Sequence, residues 1–212
     1  MEKRVPGFLI AVEGIDGSGK STLVRAVADT LGNCGHTVVQ TREPGGTPFG
    51  KHLRQILQHG AERPVPEAEF LLFAADRAQH VQTMVIPALS QGNIVISDRM
   101  HYSSMAYQGY GRGIDKTMIA DVNNWVMQGI EPDLIMYLDV PWQAALQRIQ
   151  KNRAALSAFE SEQQAFFERV VQGFSTMFSA MNNVVVMDGL QMPENISQQA
   201  YEAIIRTMEQ RR

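Results

Sequence analysis

Eight residues constrain this chain more than any other feature. Gly14-Ile15-Asp16-Gly17-Ser18-Gly19-Lys20-Ser21 follow the pattern G-x-x-x-x-G-K-[ST]. They lie between an apolar run, Phe8–Val12, and a segment of helical period, Lys20–Leu31, with Leu23, Val27 and Leu31 at i, i+4 and i+8. In that setting the glycines let backbone N–H groups curl around a phosphate at a helix N-terminus. Lys20 adds a positive charge near the β and γ phosphates, and the Ser21 hydroxyl can ligate Mg²⁺. Gly14, Ile15, Asp16, Gly17, Ser18, Gly19, Lys20, Ser21 and Thr22 are therefore the candidate ATP-binding residues.

A loop of this kind needs a sheet behind it. Apolar, β-rich runs recur at Phe8–Val12, Thr37–Thr41, Asn93–Ser97, Leu134–Leu138 and Val184–Met187, each followed by a turn signal and a helix-period segment. The alternation predicts an α/β fold with five parallel strands and helices on both faces. Helices are expected over Lys20–Leu31, Pro66–His80, Asp115–Met127, Trp142–Ile149, Glu162–Met181 and Glu194–Met208, with a kink or restart at Pro87. At 212 residues one domain over 1–212 is expected, and the weakly patterned stretch Gln150–Glu160 is the candidate lid, at about 150–160.

Composition narrows the partners. Nineteen basic against 22 acidic side chains give a net charge of −3, which argues against broad adhesion to nucleic acid or anionic lipid. An anionic ligand must then be held by a local cluster. No apolar stretch approaches the roughly 20 residues needed to span a bilayer, and the single cysteine, Cys34, fits a reducing cytoplasm. The five histidines form no metal-ligand spacing and read as solvated or satisfied.

The strand Ile94-Val95-Ile96-Ser97-Asp98 puts a carboxylate at the sheet edge where α/β proteins collect ligands. Asp98 could hold Mg²⁺ through water and Arg99 could bridge phosphates; the plainer alternative for Asp98 is a helix N-cap. No N/T-K-x-D guanine-reading element and no LSGGQ-like signature occurs. Phe8–Asp16, Thr41-Arg42-Glu43-Pro44-Gly45-Gly46-Thr47, Leu72-Phe73-Ala74-Ala75-Asp76-Arg77, Asp98-Arg99, Ala106-Tyr107-Gln108-Gly109 with Gly111-Arg112-Gly113, and Pro132-Asp133-Leu134 with Tyr137-Leu138-Asp139 run in order nearly end to end. Together they resemble bacterial thymidylate kinases.

The resemblance implies a P-loop NTPase fold with a lid, often homodimeric, that moves the γ-phosphoryl of ATP to dTMP, with Mg²⁺, in a step of dTTP synthesis. It implies that Phe73 stacks on thymine and Arg77 donates to its O4. Ser104 and Gln108 align near the base, and Tyr107 crowds the sugar 2′ position. Asp16 would face the acceptor sugar and phosphate, and Arg42 and Arg99, beside Glu43, would supply charge to the acceptor phosphate. Read without the resemblance, Phe73 is equally a core residue and Arg42–Glu43 a surface ion pair. Arg77 resists a core placement, since an unpaired guanidinium is costly there.

The chain departs from such relatives at the lid. Where they carry D-R-[IF]-E, it reads Leu156-Ser157-Ala158-Phe159-Glu160, and its phosphate loop has no arginine. Arg153, with Lys151 beside it, is the nearest replacement, followed by Arg148 and Arg112. Lys20, Asp16, Arg99 and Arg153 thus form the expected catalytic set, with Ser21 and Asp98 for the metal. Two alternatives stay open: a deoxynucleoside kinase with Glu43 as base on a 5′-OH, and a catalytically weakened dTMP/ATP-binding homologue.

Overall fold

The computed structural model describes residues 6–152 and 162–211. Five strands, β1 (Phe8–Glu13), β2 (Val38–Arg42), β3 (Ile94–Asp98), β4 (Leu134–Asp139) and β5 (Val184–Asp188), pair in parallel in the order β2-β3-β1-β4-β5. Each strand reaches one residue past its apolar run, and that residue is always charged: Glu13, Arg42, Asp98, Asp139 and Asp188. Backbone pairing continues after hydrophobicity stops. The ligand edge of the sheet is therefore lined by the residues a hydrophobic pattern leaves out.

The helices are α1 (Lys20–Asn33), α2 (Pro48–His59), α3 (Pro66–His80), α4 (Ile86–Ser90), α5 (His101–Ser104), α6 (Lys116–Met127), α7 (Trp142–Asn152), α8 (Gln164–Phe178) and α9 (Pro193–Arg211). Alternation along β1 divides the core. Phe8, Ile10 and Val12 pack with Leu23, Val27 and Leu31 of α1 and Ala200 and Ile204 of α9. Leu9 and Ala11 face the other layer, with Val81, Val85, Phe167 and Phe174. Full burial of each such side chain contributes about 1.5–3 kcal/mol. None of the helices is long and apolar enough to cross a membrane among the described residues.

Three features depart from periodicity. Pro87 has no N–H for an α-helical bond, and a wide π turn at Val81–Val85, closed by Ile86 N–H donating to the Val81 carbonyl, joins α3 to α4. A second π segment, Met105–Gly111, follows α5 directly. It packs under α8 because Gly111 has no side chain: a Cβ there would meet the Phe166 ring at 2.6 Å. The third, α2, has no counterpart among the expected helices. Thr47 caps it by accepting from Gly50 N–H at 2.9 Å, Pro48 occupies its first turn, and Leu53 and Leu57 bury its inner side.

Candidate active site

The loop after β1 is shaped by glycines in left-handed backbone, Gly17 at φ 79° and Gly19 at φ 104°. Gly17 is also sterically required, since a Cβ would meet the Ala145 carbonyl of α7 at 2.5 Å. Lys20 is buried, and its Nζ donates to the Ile15 carbonyl at 2.8 Å, bent back over the loop. Burial, then repulsion from Arg99, pushes its ammonium down to about 8, while Asp98, Asp16 and Glu13 pull the other way. The buried Ser18 hydroxyl has no hydrogen-bond partner among the described residues, a polar group left for a ligand.

Ser21 Oγ donates to Asp98 Oδ2 at 2.7 Å, so the two residues expected at the metal meet. Asp98 caps no helix, because α5 begins at His101 with Met100 at its N-cap position. The Ser21 hydroxyl and the Asp98 carboxylate are hard oxygen donors. They fit a small divalent cation that keeps most of its coordination for water and phosphate.

Arg99 follows Asp98 and, at φ 75°, is one of two non-glycine residues in the left-handed region among the described residues. Its Nη1 donates to the Gly14 carbonyl at 2.8 Å and to Ser103 Oγ at 3.0 Å. Nη2 donates to Asp16 Oδ1 at 2.9 Å and to the Tyr107 hydroxyl at 3.3 Å. Burial works against the Asp16 charge, yet Arg99 and Lys20 hold that carboxyl down at about 2. Arg99 thus ties the phosphate loop to the π segment that carries Tyr107.

The other end is assembled from α3, α6 and the turn after β2. Arg77 is 1% exposed, and it is not unpaired: Nε donates to Glu43 Oε2 at 2.8 Å, Nη1 to Asn123 Oδ1 at 2.6 Å and Nη2 to Ser104 Oγ at 3.0 Å. The expectation that a guanidinium resists the interior fails because the fold supplies its acceptors. Glu43 is likewise turned inward, with His80 Nδ1 at 2.9 Å from Oε1, so Arg42–Glu43 is not a surface pair and Arg42 alone stays exposed. Burial opposes the Glu43 charge, but Arg77 and His80 hold its carboxyl below the usual range, which suits an ion-pair partner and not a base. Gln108 donates to Glu69 Oε1 at 2.8 Å. His80, also bonded to Thr41 Oγ1 at 2.7 Å, is a satisfied histidine. His101 is not, since its buried Nδ1 has no hydrogen-bond partner among the described residues and burial, then Arg77, pushes it down to about 3.

Between the two ends lies one continuous cavity of about 540 Å³, with Asn123, His80 and Glu69 behind its wall. Of the expected residues, Asp16 to Thr22, Arg42, Glu43, Phe73, Arg77, Asp98, Arg99, Ser104, Tyr107 and Gln108 all border it, while Gly14 and Ile15 shape the loop from behind. Phe73 takes both alternatives at once, half-buried against the core and facing the cavity. Arg148 of α7 also borders it, donating to the Gly189 carbonyl at 2.8 Å and the Ser18 carbonyl at 3.4 Å. Arg112 does not, being paired with Glu69 and Glu162. Arg153 and Leu156–Glu160 lie outside the described residues, and Lys151 is exposed at the end of α7. Sequence reasoning missed Arg54 and Gln58 of α2, and Ser103; Thr47–Pro48 followed by Leu53 and Leu57 was the signal for α2.

Comparison with known proteins agrees with this geometry. Residues 12–200 match the family model described as thymidylate kinase. The chain is 45% identical over 178 residues to the thymidylate kinase of Synechococcus sp. (strain CC9605), covering 81% of this chain and 84% of that one. It is 40% identical over 210 residues to that of Synechococcus sp. (strain CC9902), covering 96% and 99%. Its fold superposes on the crystal structure of thymidylate kinase from Ehrlichia chaffeensis with a TM-score of 0.76, at 30% identity, covering 93% of this chain and 98% of the other. The five-stranded P-loop NTPase architecture, the loop and the sequence similarity agree, and the chain belongs to the thymidylate kinase family.

Proposed function

We propose that the protein transfers the γ-phosphoryl of ATP to dTMP, giving dTDP, in a single site with both nucleotides in the cavity. The observation that carries this is Arg99, which stands where the phosphate loop meets the acceptor half and bonds groups of both, Gly14 and Asp16 on one side and Ser103 and Tyr107 on the other. The acceptor phosphate is already an anionic nucleophile, so the site needs alignment and positive charge and no general base. Gly14–Thr22 wrap the donor phosphates, Lys20 stands at the transferred group, and Arg42 and Arg99 take the acceptor phosphate. Ser21 and Asp98 would hold Mg²⁺, which when bound neutralises charge on the donor phosphates. Phe73 and Arg77 receive thymine with Ser104 and Gln108, and Tyr107 lies against the sugar.

The remaining transition-state charge falls to a basic residue beyond the loop, with Arg153 first and Arg148 second; of the expected lid at 150–160, residues 150–152 belong to α7 and the rest lie outside the described residues. Glu43 held in its ion pair weighs against the deoxynucleoside kinase alternative. Release of ADP measured with dTMP, dUMP, thymidine or no acceptor tests the assignment. dTMP should support turnover and thymidine should not, and faster turnover of thymidine would refute it. dTMP binding with no ADP release would make the chain the weakened binder.

The active form is a homodimer built on α2, α3 and α6, where Ile56, Leu71 and Trp125 stand 47%, 57% and 80% exposed. Light scattering should give twice the chain mass for the wild type and the chain mass for Trp125→Glu. We place this activity in the cytoplasm, a reading with which the single exposed Cys34 is consistent.

A further inference from the structure

Glu13 ends β1 with its side chain fully buried. Both of its oxygens are used. Oε1 accepts from Met100 N–H at 2.8 Å, and Oε2 accepts from the Ser103 hydroxyl at 2.5 Å. Both partners adjoin Arg99: Met100 is the next residue, and Ser103 Oγ accepts from Arg99 Nη1. A hydroxyl has one hydrogen. With that hydrogen given to Glu13, the Ser103 lone pairs are turned toward the guanidinium.

The backbone at Arg99 needs such support, because a left-handed conformation is unfavourable for a residue with a Cβ. Arg99 N–H donates to the Val12 carbonyl at 2.9 Å, and Ser97 Oγ donates to the Arg99 carbonyl at 2.7 Å. Glu13 fixes the following amide. One carboxylate therefore holds Arg99 twice, by its backbone through Met100 and by its side chain through Ser103. A leucine would fill the end of a buried strand without desolvating a charge, so packing alone does not account for a carboxylate here.

We infer that Glu13 is the positioning residue of the phosphoryl-transfer site, setting the Arg99 guanidinium between the donor loop and the acceptor phosphate through Ser103 and Met100. The inference rests on the proposed reaction for its kinetic readout. Burial raises the Glu13 carboxyl to about 7, opposed by Ser103, Arg99, the Met100 amide and Lys20, so the group that aims the site is poorly solvated and dependent on these partners.

The test is a cycle of variants, Glu13→Gln, Ser103→Ala and Arg99→Ala, alone and paired, assayed for dTMP-dependent ADP release and for dTMP affinity by calorimetry. Glu13→Gln keeps an acceptor for Met100 N–H but no longer offers Ser103 a carboxylate. It should lower kcat roughly 10–100-fold and weaken dTMP severalfold, with ATP KM within about threefold, as for a contact expressed mainly in the transition state. Ser103→Ala should show a smaller change of the same pattern. In the Arg99→Ala background both should lose most of their effect, because no guanidinium remains to be aimed. Loss of thermal stability with kcat and dTMP affinity unchanged would make Glu13 merely structural and overturn the inference, as would full additivity with Arg99→Ala. Should Glu13→Gln fail to fold, Ser103→Ala with and without Arg99→Ala decides alone. Absence of ADP release by the wild type overturns the reaction instead, and the calorimetric cycle still decides the positioning role.

Discussion

The two ends of the cavity are built on opposite electrostatic plans. At the phosphate end, among the described residues, Lys20 is paired with no carboxylate, Ser18 Oγ has no hydrogen-bond partner, and Arg99 shares its donors among a carbonyl, two hydroxyls and one carboxylate. At the base end, Arg77, Glu43, His80, Asn123 and Ser104 bond one another away from water. An end that receives highly charged phosphates must keep donors in reserve. An end that receives a neutral base gains more from groups locked in one geometry, since a mismatched base then strands buried polar atoms. On the proposed assignment the same residue type, arginine, serves as charge in one place and as shape in the other.

Arg99→Ala should break the phosphate end most severely. Removal of a guanidinium that serves transferring phosphates lowers kcat by on the order of 10³-fold, with thermal stability little changed. Rapid-quench or coupled ADP measurements at saturating dTMP and ATP check this. A kcat within tenfold of wild type would place the acceptor charge on Arg42 or Arg54 instead.

The candidate lid residues sharpen the same point. Arg153→Ala should lower kcat about 10²–10³-fold with both Michaelis constants little changed, and Lys151→Ala should have less effect, because a planar fork matches phosphoryl oxygens better than an ammonium does. Wild-type kcat in both would move the role to Arg148, which already stands between Ser18 and Gly189.

The phosphate end was the more legible of the two, for physical reasons. Its geometry is local: one strand, one glycine loop and one helix in a continuous stretch, so spacing alone placed Lys20 and Ser21. The base end is assembled from residues 43, 77, 80, 104 and 123, and nothing in the sequence reports that Glu43 folds inward to meet Arg77. Asn123 and Glu13 were invisible for the same reason, each being an ordinary polar residue until its partner is known. Apolar patterning also stops one residue short of Glu13, Asp139 and Asp188, which the sheet still pairs, whereas Asp98 was legible as a strand end because it follows the apolar run directly. The helix α2 was hidden behind the loop motif that precedes it, although Thr47–Pro48 is a recognisable start.

Arg77→Ala tests whether the base end is as interlocked as it looks. Truncation leaves Glu43 buried with only His80, so the variant should be destabilised by about 3–5 kcal/mol, read by urea unfolding, while dTMP KM rises strongly and ATP KM stays near wild type. Arg77→Ala with Glu43→Gln should recover much of the stability and none of the dTMP affinity, separating the ion pair from recognition. Equal damage to dTMP and ATP kinetics would show that Arg77 supports the fold as a whole.

The smallest expected effect concerns a charge the base end does not satisfy. Asp76 is fully buried; Oδ1 accepts from Gly45 N–H at 3.1 Å, and Oδ2 has no hydrogen-bond partner among the described residues. Burial, then the neighbouring Glu43 charge, raises its carboxyl from 3.8 to about 6, against the pull of Gly45 N–H, His80 and Arg77. Because the folded form holds this proton more tightly than the unfolded chain, Asp76 removes stability as pH rises from about 4 to about 6, and the loss is complete above that window. Asp76→Asn keeps an acceptor for Gly45 and carries no charge. It should therefore be more stable than wild type at pH 8 by about 1–3 kcal/mol and close to it near pH 3, below the unfolded value, where Asp76 is largely protonated in both states. Urea unfolding of both proteins at the two pH values reads the difference directly. An increment that does not change with pH, or a loss at pH 8, would mean that the Asp76 charge is compensated within the fold, and that the base end is as fully satisfied around Asp76 as it is around Arg77.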